Sequence, residues 1–344
     1  MISPDFHSIY IDLRTQLLRI HSQRHFLRVL QTVVYLFVVA WLLFVLLAPF
    51  VMGQISLLGS YHLGQIVLVA FVLFVPVQYL FVWLQNKFTR NEQRAMEEML
   101  RSLFPQVRCN FSVSPDFKAL ARSRFFDVNF YETTQPVLSF GRLVFPLVEG
   151  RKLLLDDVGV VTDGAARWLK NPLTAYPTML YRYALKPLMG RRVDASSFSF
   201  RGMFAQYPLQ KDFKECVLIL PDHIERHIGY LAKSVQSLSR HYNASLITLE
   251  DPEFERFFSV YTTDELFARA LLTPLMMQRI TELRKTFDRD LYLSFNRGCF
   301  YYAAENKNGF LNLSGKALND ESLPFHLYEE IRQTLEVVDK LRLR

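Results

Sequence analysis

The chain has 344 residues, half of them hydrophobic, and a formal net charge of +7 from 40 Lys and Arg against 33 Asp and Glu. That length leaves room for one large domain or two smaller ones, and the hydropathy fits a chain partly in a membrane and partly in water. Its three cysteines, Cys109, Cys216 and Cys299, stand far apart without a CxxC pair, which argues against a disulfide framework or a zinc ribbon and fits a reducing compartment.

Residues 1–28 form an N-terminal segment bearing Arg14, Arg19, Arg24 and Arg28. From Val29 to Gln85 there is no Asp, Glu, Lys or Arg, and two apolar blocks fill the interval, Val29 to Met52 and Gln65 to Leu84. Each has about the 20 residues that a helix needs to cross a hydrocarbon core. The sequence therefore predicts a transmembrane hairpin over 29–85. A cleaved signal peptide would be shorter, would start earlier and would have no second block behind it. Lys87, Arg90 and Arg94 follow the second block, and the connecting turn carries no basic residue. Positive residues stay on the cytoplasmic side, so both termini are expected in the cytoplasm of a cell with an inner membrane. Tyr61, Tyr79 and Trp83 are expected near the interfaces.

A connector helix is expected over 86–105, with Phe88, Met96, Met99, Leu100, Leu103 and Phe104 along one stripe and Pro105 ending it. The remainder, 106–344, reads as an α+β domain, single or in two closely packed lobes. The fold class is thus a membrane-anchored α+β protein.

Short apolar runs punctuated by Gly141, Gly150, Gly159 and Gly164 predict strands and turns. Within them Asp156 and Asp157 are read as a turn or bulge, since adjacent strand residues point to opposite faces and do not share one acid–base or metal site. The stretch from Arg167 to Arg201 holds seven basic residues against Asp194 alone, with Trp168, Tyr176, Tyr181 and Tyr183 interleaved. For a tethered domain it reads as a solvated surface or as a face toward anionic headgroups, with Arg182, Lys186, Arg191 and Arg192 as the lipid-facing candidates; nucleic acid is the least favoured partner.

Lys214 to Leu220 reads as a strand and His223 to Tyr242 as a helix with Asp222 at its N-cap. The sequence HIERH puts His223 and His227 on one helix face, but the acid is misplaced for a zinc-protease motif and no third ligand is evident. No metal or cofactor is expected. Asp251 and Pro252 form an N-cap followed by a proline at the first helical position, with Glu253 and Glu255 where the helix dipole favours acids. Phe257 to Tyr261 reads as a strand. Thr262 and Glu265 have capping-box spacing, and Thr273-Pro274 opens a further helix that buries Leu275, Ile280 and Leu283. Arg269 is expected to pair with a carboxylate or carbonyl groups in the lobe interior. Strands joined by NRG and NKNG follow, with Asn308-Gly309 as a tight-turn signal, and an amphipathic helix runs from Phe325 to Arg342.

The stretches FRGMF (Phe200 to Phe204), KDF (Lys211 to Phe213), LEDPEFERFFSVYTTDELFARALLTP (Leu249 to Pro274) and LYLSFNRGCFYYA (Leu291 to Ala303) carry a resemblance. Together the chain resembles an uncharacterised bacterial family, a domain of unknown function sometimes labelled galanin-like, whose members have two N-terminal membrane helices and a cytoplasmic α+β domain. The family pattern has an acid and a tyrosine flanking Ala-Arg where this chain has Phe267 and Ala270; Arg269 is shared. That family has no assigned activity, so the resemblance implies architecture and not mechanism.

No Walker loop, GxGxxG, GxSxG, HExxH or kinase set is present. Three functions remain open: a non-enzymatic membrane-anchored protein whose domain binds a partner or copies of itself, a tethered hydrolase whose site converges only in the fold, and a regulator responding to anionic lipid.

Overall fold

The structure, a computed structural model, describes residues 5–51, 83–84, 86–126, 137–146, 150–161, 198–222, 244–287, 289–306, 309–311, 313 and 318–341. Two compact units are distinguished: Met1–Tyr10, Met96–Ala166 and Asp194–Arg344 make the first, and Ile11–Ala95 with Arg167–Val193 make the second.

The first unit is built on a nine-stranded sheet in which every paired neighbour is antiparallel. Its strands are β1 (Arg108–Asn110), β2 (Val137–Pro146), β3 (Lys152–Val161), β4 (Phe198–Pro208), β5 (Cys216–Pro221), β6 (Ser245–Ile247), β7 (Phe258–Thr262), β8 (Leu291–Asn296) and β9 (Cys299–Glu305). The order across the sheet is β1-β2-β3-β4-β9-β8-β5-β7-β6. Both edge strands are three residues long, which limits the unpaired backbone that each edge presents.

Strand alternation divides the core into two faces. Val158, Val160, Phe200, Phe204, Leu218, Leu220, Tyr292, Tyr301 and Ala303 form one cluster with Leu120, Phe125 and Phe126, from and just after helix α3 (Phe117–Ser123). Asn296 donates from this face to the Arg122 carbonyl at 2.7 Å and ties α3 to β8. The opposite face carries Met203, whose sulfur meets the Thr334 hydroxyl of the C-terminal helix α7 (Leu323–Lys340) at 2.7 Å. Of the expected stripe Leu327, Ile331, Leu335 and Val338 along α7, Leu335 is only half-buried and the other three are buried, together with Thr334 and Val337.

The stretch from 249 to 274 folds as punctuation. Asp251 accepts from the Glu253 and Phe254 amides, and Pro252 opens the single turn α4 (Pro252–Glu255). Fully buried Phe254 then hands the chain to β7. The next helix, α5 (Glu265–Leu271), is capped by Asp264 and not by Thr262. Thr262 belongs to β7, where its hydroxyl donates to the Cys216 carbonyl and its oxygen accepts from the Asp264 amide, so it is aimed short of the α5 amides. Thr273 does accept from the Met276 amide at the head of α6 (Pro274–Phe287), and Ile280 and Leu283 are buried. Leu275 instead points outward, because it lies about 160° round the helix from Met277 and about 140° from Ile280.

Other expectations are met or changed one by one. Gly141 and Gly159 lie inside β2 and β3 and are not turn residues, whereas Gly150, at φ +73°, lies between those strands as expected. Arg297-Gly298 forms the tight β8–β9 turn, both residues at positive φ as a two-residue hairpin requires. Of the Asn308-Gly309 signal only Gly309 lies among the described residues: its amide donates back to the Asn306 carbonyl, and none of the described residues after it up to α7 is in a strand.

In the second unit, helix α1 (Phe6–Val51), whose first residues belong to the first unit, runs unbroken for 46 residues. Leu13, Leu17, Ile20 and Leu27 are buried along one side. Arg24 of α1 pairs with Glu92 at 2.8 Å, on a helix α2 that spans 86–103 and stops before Pro105. Among the described residues no helix is long and apolar enough to cross a membrane. Most side chains of the first charge-free block, and nearly all of the second block, lie outside the described residues.

Gly202 of β4 marks the tightest approach in the sheet. A Cβ there would collide with the Ala304 carbonyl and come within 2.8 Å of the Asn306 nitrogen, both backbone groups of β9 and its exit. Gly202→Ala is expected to cost about 1–3 kcal/mol, read as a lower thermal midpoint, whereas adding a methyl at Gly150 meets no atom within 4 Å and acts only through its φ.

Candidate functional site

The two adjacent acids of β3 are the most buried charges of the sheet, and each has its own arginine. β3 runs straight through them: Asp156 pairs in register with Arg142 and Phe204, and Asp157 with Gly141 and Met203. The expected turn or bulge at Asp156-Asp157 is therefore corrected. The irregularity sits across the ladder in β2, between Ser139 and Gly141.

On the α3 face, Arg142 grips Asp156 through two parallel bonds, Nε to Oδ1 at 2.6 Å and a terminal nitrogen to Oδ2 at 2.7 Å. This fork is the strong form of the arginine–carboxylate contact. Burial pushes the Asp156 carboxyl above the ordinary carboxylate range against the pull of Arg142, and the bond to Asp156 raises Arg142 in turn.

On the other face, Asp157 is fully buried and bonds both terminal nitrogens of Arg201, with the Arg201–Oδ2 distance at 3.0 Å. Oδ2 also accepts from the Leu311 amide at 3.0 Å, and Arg201 donates further to the Val158 carbonyl at 3.1 Å. The bulge in β2 lays the centre of the Phe140 ring 3.7 Å from the Arg201 guanidinium carbon, a cation–π contact at a buried arginine. Gly309, at φ +70°, closes the cluster: a Cβ there would stand 3.0 Å from Asp157 Oδ2 and 2.6 Å from the guanidinium carbon. Burial pushes the Asp157 carboxyl upward, Arg201 and the Leu311 amide oppose it, and Glu330 adds to the push. Glu330 itself bonds Asn306 and lies 3.7 Å from Arg289.

These contacts give the arrangement a structural chemistry. Both carboxylates are held against guanidinium groups on opposite faces and do not converge on a shared site. Among the described residues no group of three His, Cys, Asp or Glu is placed to hold a metal ion. Cys216 is buried at the start of β5, and burial lifts its thiol to about 11; Cys109 is lifted to about 11 by burial and by Glu97.

The residues singled out from sequence are spread apart. Asp251, Pro252 and Pro274 are helix-start residues, as above. Glu253 is exposed and meets Lys285 at 2.5 Å. Arg269 finds both a carboxylate and a carbonyl, Glu265 at 2.8 Å and Thr248 O at 3.0 Å, but does so at the surface and not in a lobe interior. Arg182, Lys186, Arg191, Arg192, His223 and His227 lie outside the described residues. Arg201, the last member of the basic run, is a correction: it is a buried half of an ion pair and contributes nothing to a solvent-facing basic surface. Pairing across 44 residues escaped the sequence reading. The available signal was a lone arginine in the apolar run FSFRGMF and two acids in KLLLDDVGVV, each needing a counter-charge if the runs were strands.

Residues 198–343 match a family described as a protein of unknown function (DUF3137). No curated protein matches the chain. Among solved structures the chain is similar to the mycobacterial trehalose monomycolate transport factor A, TtfA, at 10% identity and a TM-score of 0.38, covering 74% of this chain and 96% of that one.

Removing one half of the inner pair strands the other. Arg201→Met is expected to lower unfolding free energy by about 3–5 kcal/mol, and the double replacement Asp157→Leu with Arg201→Met to recover most of that loss, both read by denaturant unfolding. The thiols give a second expectation. At pH 8, Cys216 and Cys109 should react with maleimide far more slowly in the folded chain than in denaturant, counted by mass spectrometry. Their raised values stabilise the fold only while the unfolded thiols stay protonated. That stability drains between about pH 8.5 and about 11.

Proposed function

We propose that this protein is a non-enzymatic membrane-anchored binding protein, with a helical hairpin over 29–85 in the bilayer and a sheet domain that docks a protein partner. The observation that carries the anchoring is the outward side of α1 beyond residue 28. Val29, Val33, Leu36 and Phe37 are exposed by between 48% and 69% within a stretch free of charge. Four large apolar groups held in water on one helix are unfavourable, at roughly 25 cal/mol per Å² of apolar surface; in lipid they are at home. Trp83, with Lys87 5.3 Å from its ring, closes the second block with the aromatic and basic pair favoured at a membrane interface. The arginine asymmetry supports cytoplasmic termini.

Partner binding by the sheet domain is supported by the exposed leucines in and just after the 249–274 stretch. Leu266 on α5 is 81% exposed, and Leu275 on α6 is also exposed. The buried polar groups β3 contributes are occupied by arginines, which supports scaffold over chemistry. The face toward anionic headgroups, carried by Arg182, Lys186, Arg191 and Arg192, stays an accessory to this reading.

Two experiments test it. Reporter fusions at Met1 and Arg344 should both read cytoplasmic, and alkaline carbonate should leave the full chain in the membrane pellet; release into the supernatant overturns the anchoring. Leu266→Glu and Leu275→Glu should leave the thermal midpoint within about 1 °C, as exposed substitutions do, while reducing recovery of partners quantified from membranes. Unchanged recovery with both variants sinks this docking face.

A further inference from the structure

The aqueous half of α1 carries a second apolar row that the fold leaves uncovered. Three or four residues apart along the helix come Ile11, Thr15, Leu18, Ser22 and Phe26, and the row then runs on into Val29, Val33 and Leu36. At roughly 100° per residue this row lies opposite the buried side formed by Leu13, Leu17, Ile20 and Leu27. Ile11, Leu18 and Phe26 are exposed by between 43% and 58%, and Thr15 and Ser22 are exposed as well. Spacing of this kind is the seam of a helix that packs on another helix.

Charge identifies the occupant. Arg14 and Arg19 flank the row on its two sides and are exposed. Asp12 is the lone acid of α1, and Arg24 is engaged by Glu92. The flanks are therefore positive. Two parallel copies of α1 would bring Arg14 of one against Arg19 of the other, which disfavours self-pairing. Lipid is disfavoured by geometry. The helix is unbroken from Phe6 to Val51, so if its charge-free half enters the bilayer, Leu18 stands roughly 16 Å and Ile11 roughly 27 Å before Val29 along the same axis. Groups at that distance cannot reach the hydrocarbon without breaking the rod.

We propose that the row Ile11, Leu18 and Phe26, flanked by Arg14 and Arg19, is the seat of an amphipathic helix from a partner protein with acidic residues beside its apolar stripe. The proposal rests on the membrane reading above for its exclusion of lipid.

The test uses the full chain in phosphatidylcholine nanodiscs and two synthetic heptad peptides, both with leucine along the seam, one flanked by glutamate and one by lysine. The glutamate peptide should bind at least about tenfold more tightly than the lysine peptide, weaken as salt rises, and lose about tenfold in affinity with Leu18→Glu or Phe26→Glu. These positions are exposed, so the variants should fold, and an unchanged thermal midpoint checks that. Equal binding of the two peptides, or glutamate-peptide binding indifferent to both variants, overturns the proposal. So does disulfide cross-linking of Leu18→Cys between two copies in a chain whose native cysteines are alanine, which would give the face to a second copy. Quenching of a fluorophore at Leu18 by lipid-borne quenchers would give it to the membrane and likewise overturn the proposal. A fluorophore at Leu36 reads the anchoring separately: if it is water-exposed while the glutamate peptide still binds at Leu18, the membrane reading fails and the docking row stands.

Discussion

The ion pair between Arg201 and Asp157 is the constraint around which the first unit is arranged. A guanidinium and a carboxylate taken out of water each lose several kcal/mol of hydration, which only close geometry and full hydrogen bonding offset. The surroundings supply both. β2 bulges so that Phe140 covers the cation, Val158 lends a carbonyl, and the chain after β9 turns at Gly309 to bring the Leu311 amide onto the anion. Gly309 is required there because any side chain would displace the pair. Asp157 and Phe140 come from strands upstream of residues 198–343, so the region that matches the family is electrostatically incomplete without β2 and β3.

The same strand shows how a sheet keeps two like charges apart. Asp156 and Asp157 are neighbours in sequence, yet the pleat sends them to opposite faces, and each is neutralised by an arginine from an adjacent strand. Had they shared a face, their repulsion would have raised one carboxyl strongly and made an acid–base or metal site. Divided, they fix the register of β2, β3 and β4. They hold a broad sheet whose far end carries the 249–274 stretch.

Helix α1 sets a different balance. Its buried side packs within the fold, with Arg24 and Glu92 paired beside it, while its outward side carries exposed apolar residues from Ile11 to Phe37, interrupted by Thr15 and Ser22. On the membrane-anchored reading proposed above, one continuous helix would present this row to water and a partner first and to hydrocarbon afterwards.

Local chemistry was legible from the chain alone. Asp251-Pro252 and Thr273-Pro274 open helices because a side-chain oxygen and a fixed φ act within one turn, and the β8–β9 hairpin follows from Arg297-Gly298 for the same reason. Much of the two helical stripes was legible, Met96, Met99, Leu100 and Leu103 on α2 and Leu327, Ile331 and Val338 on α7 being buried, because helical periodicity repeats within a few residues. Tertiary structure alone decided where the charges went. Nothing near Arg201 in sequence distinguishes a basic surface residue from half of a buried pair; its partner lies 44 residues away and its cover comes from a bulge in a third strand. Thr262 has the spacing of a cap, but β7 claims its hydroxyl, and the cap passes to Asp264. Short-range rules settle backbone conformation, whereas a buried charge is settled by desolvation, which depends on every segment that closes over it.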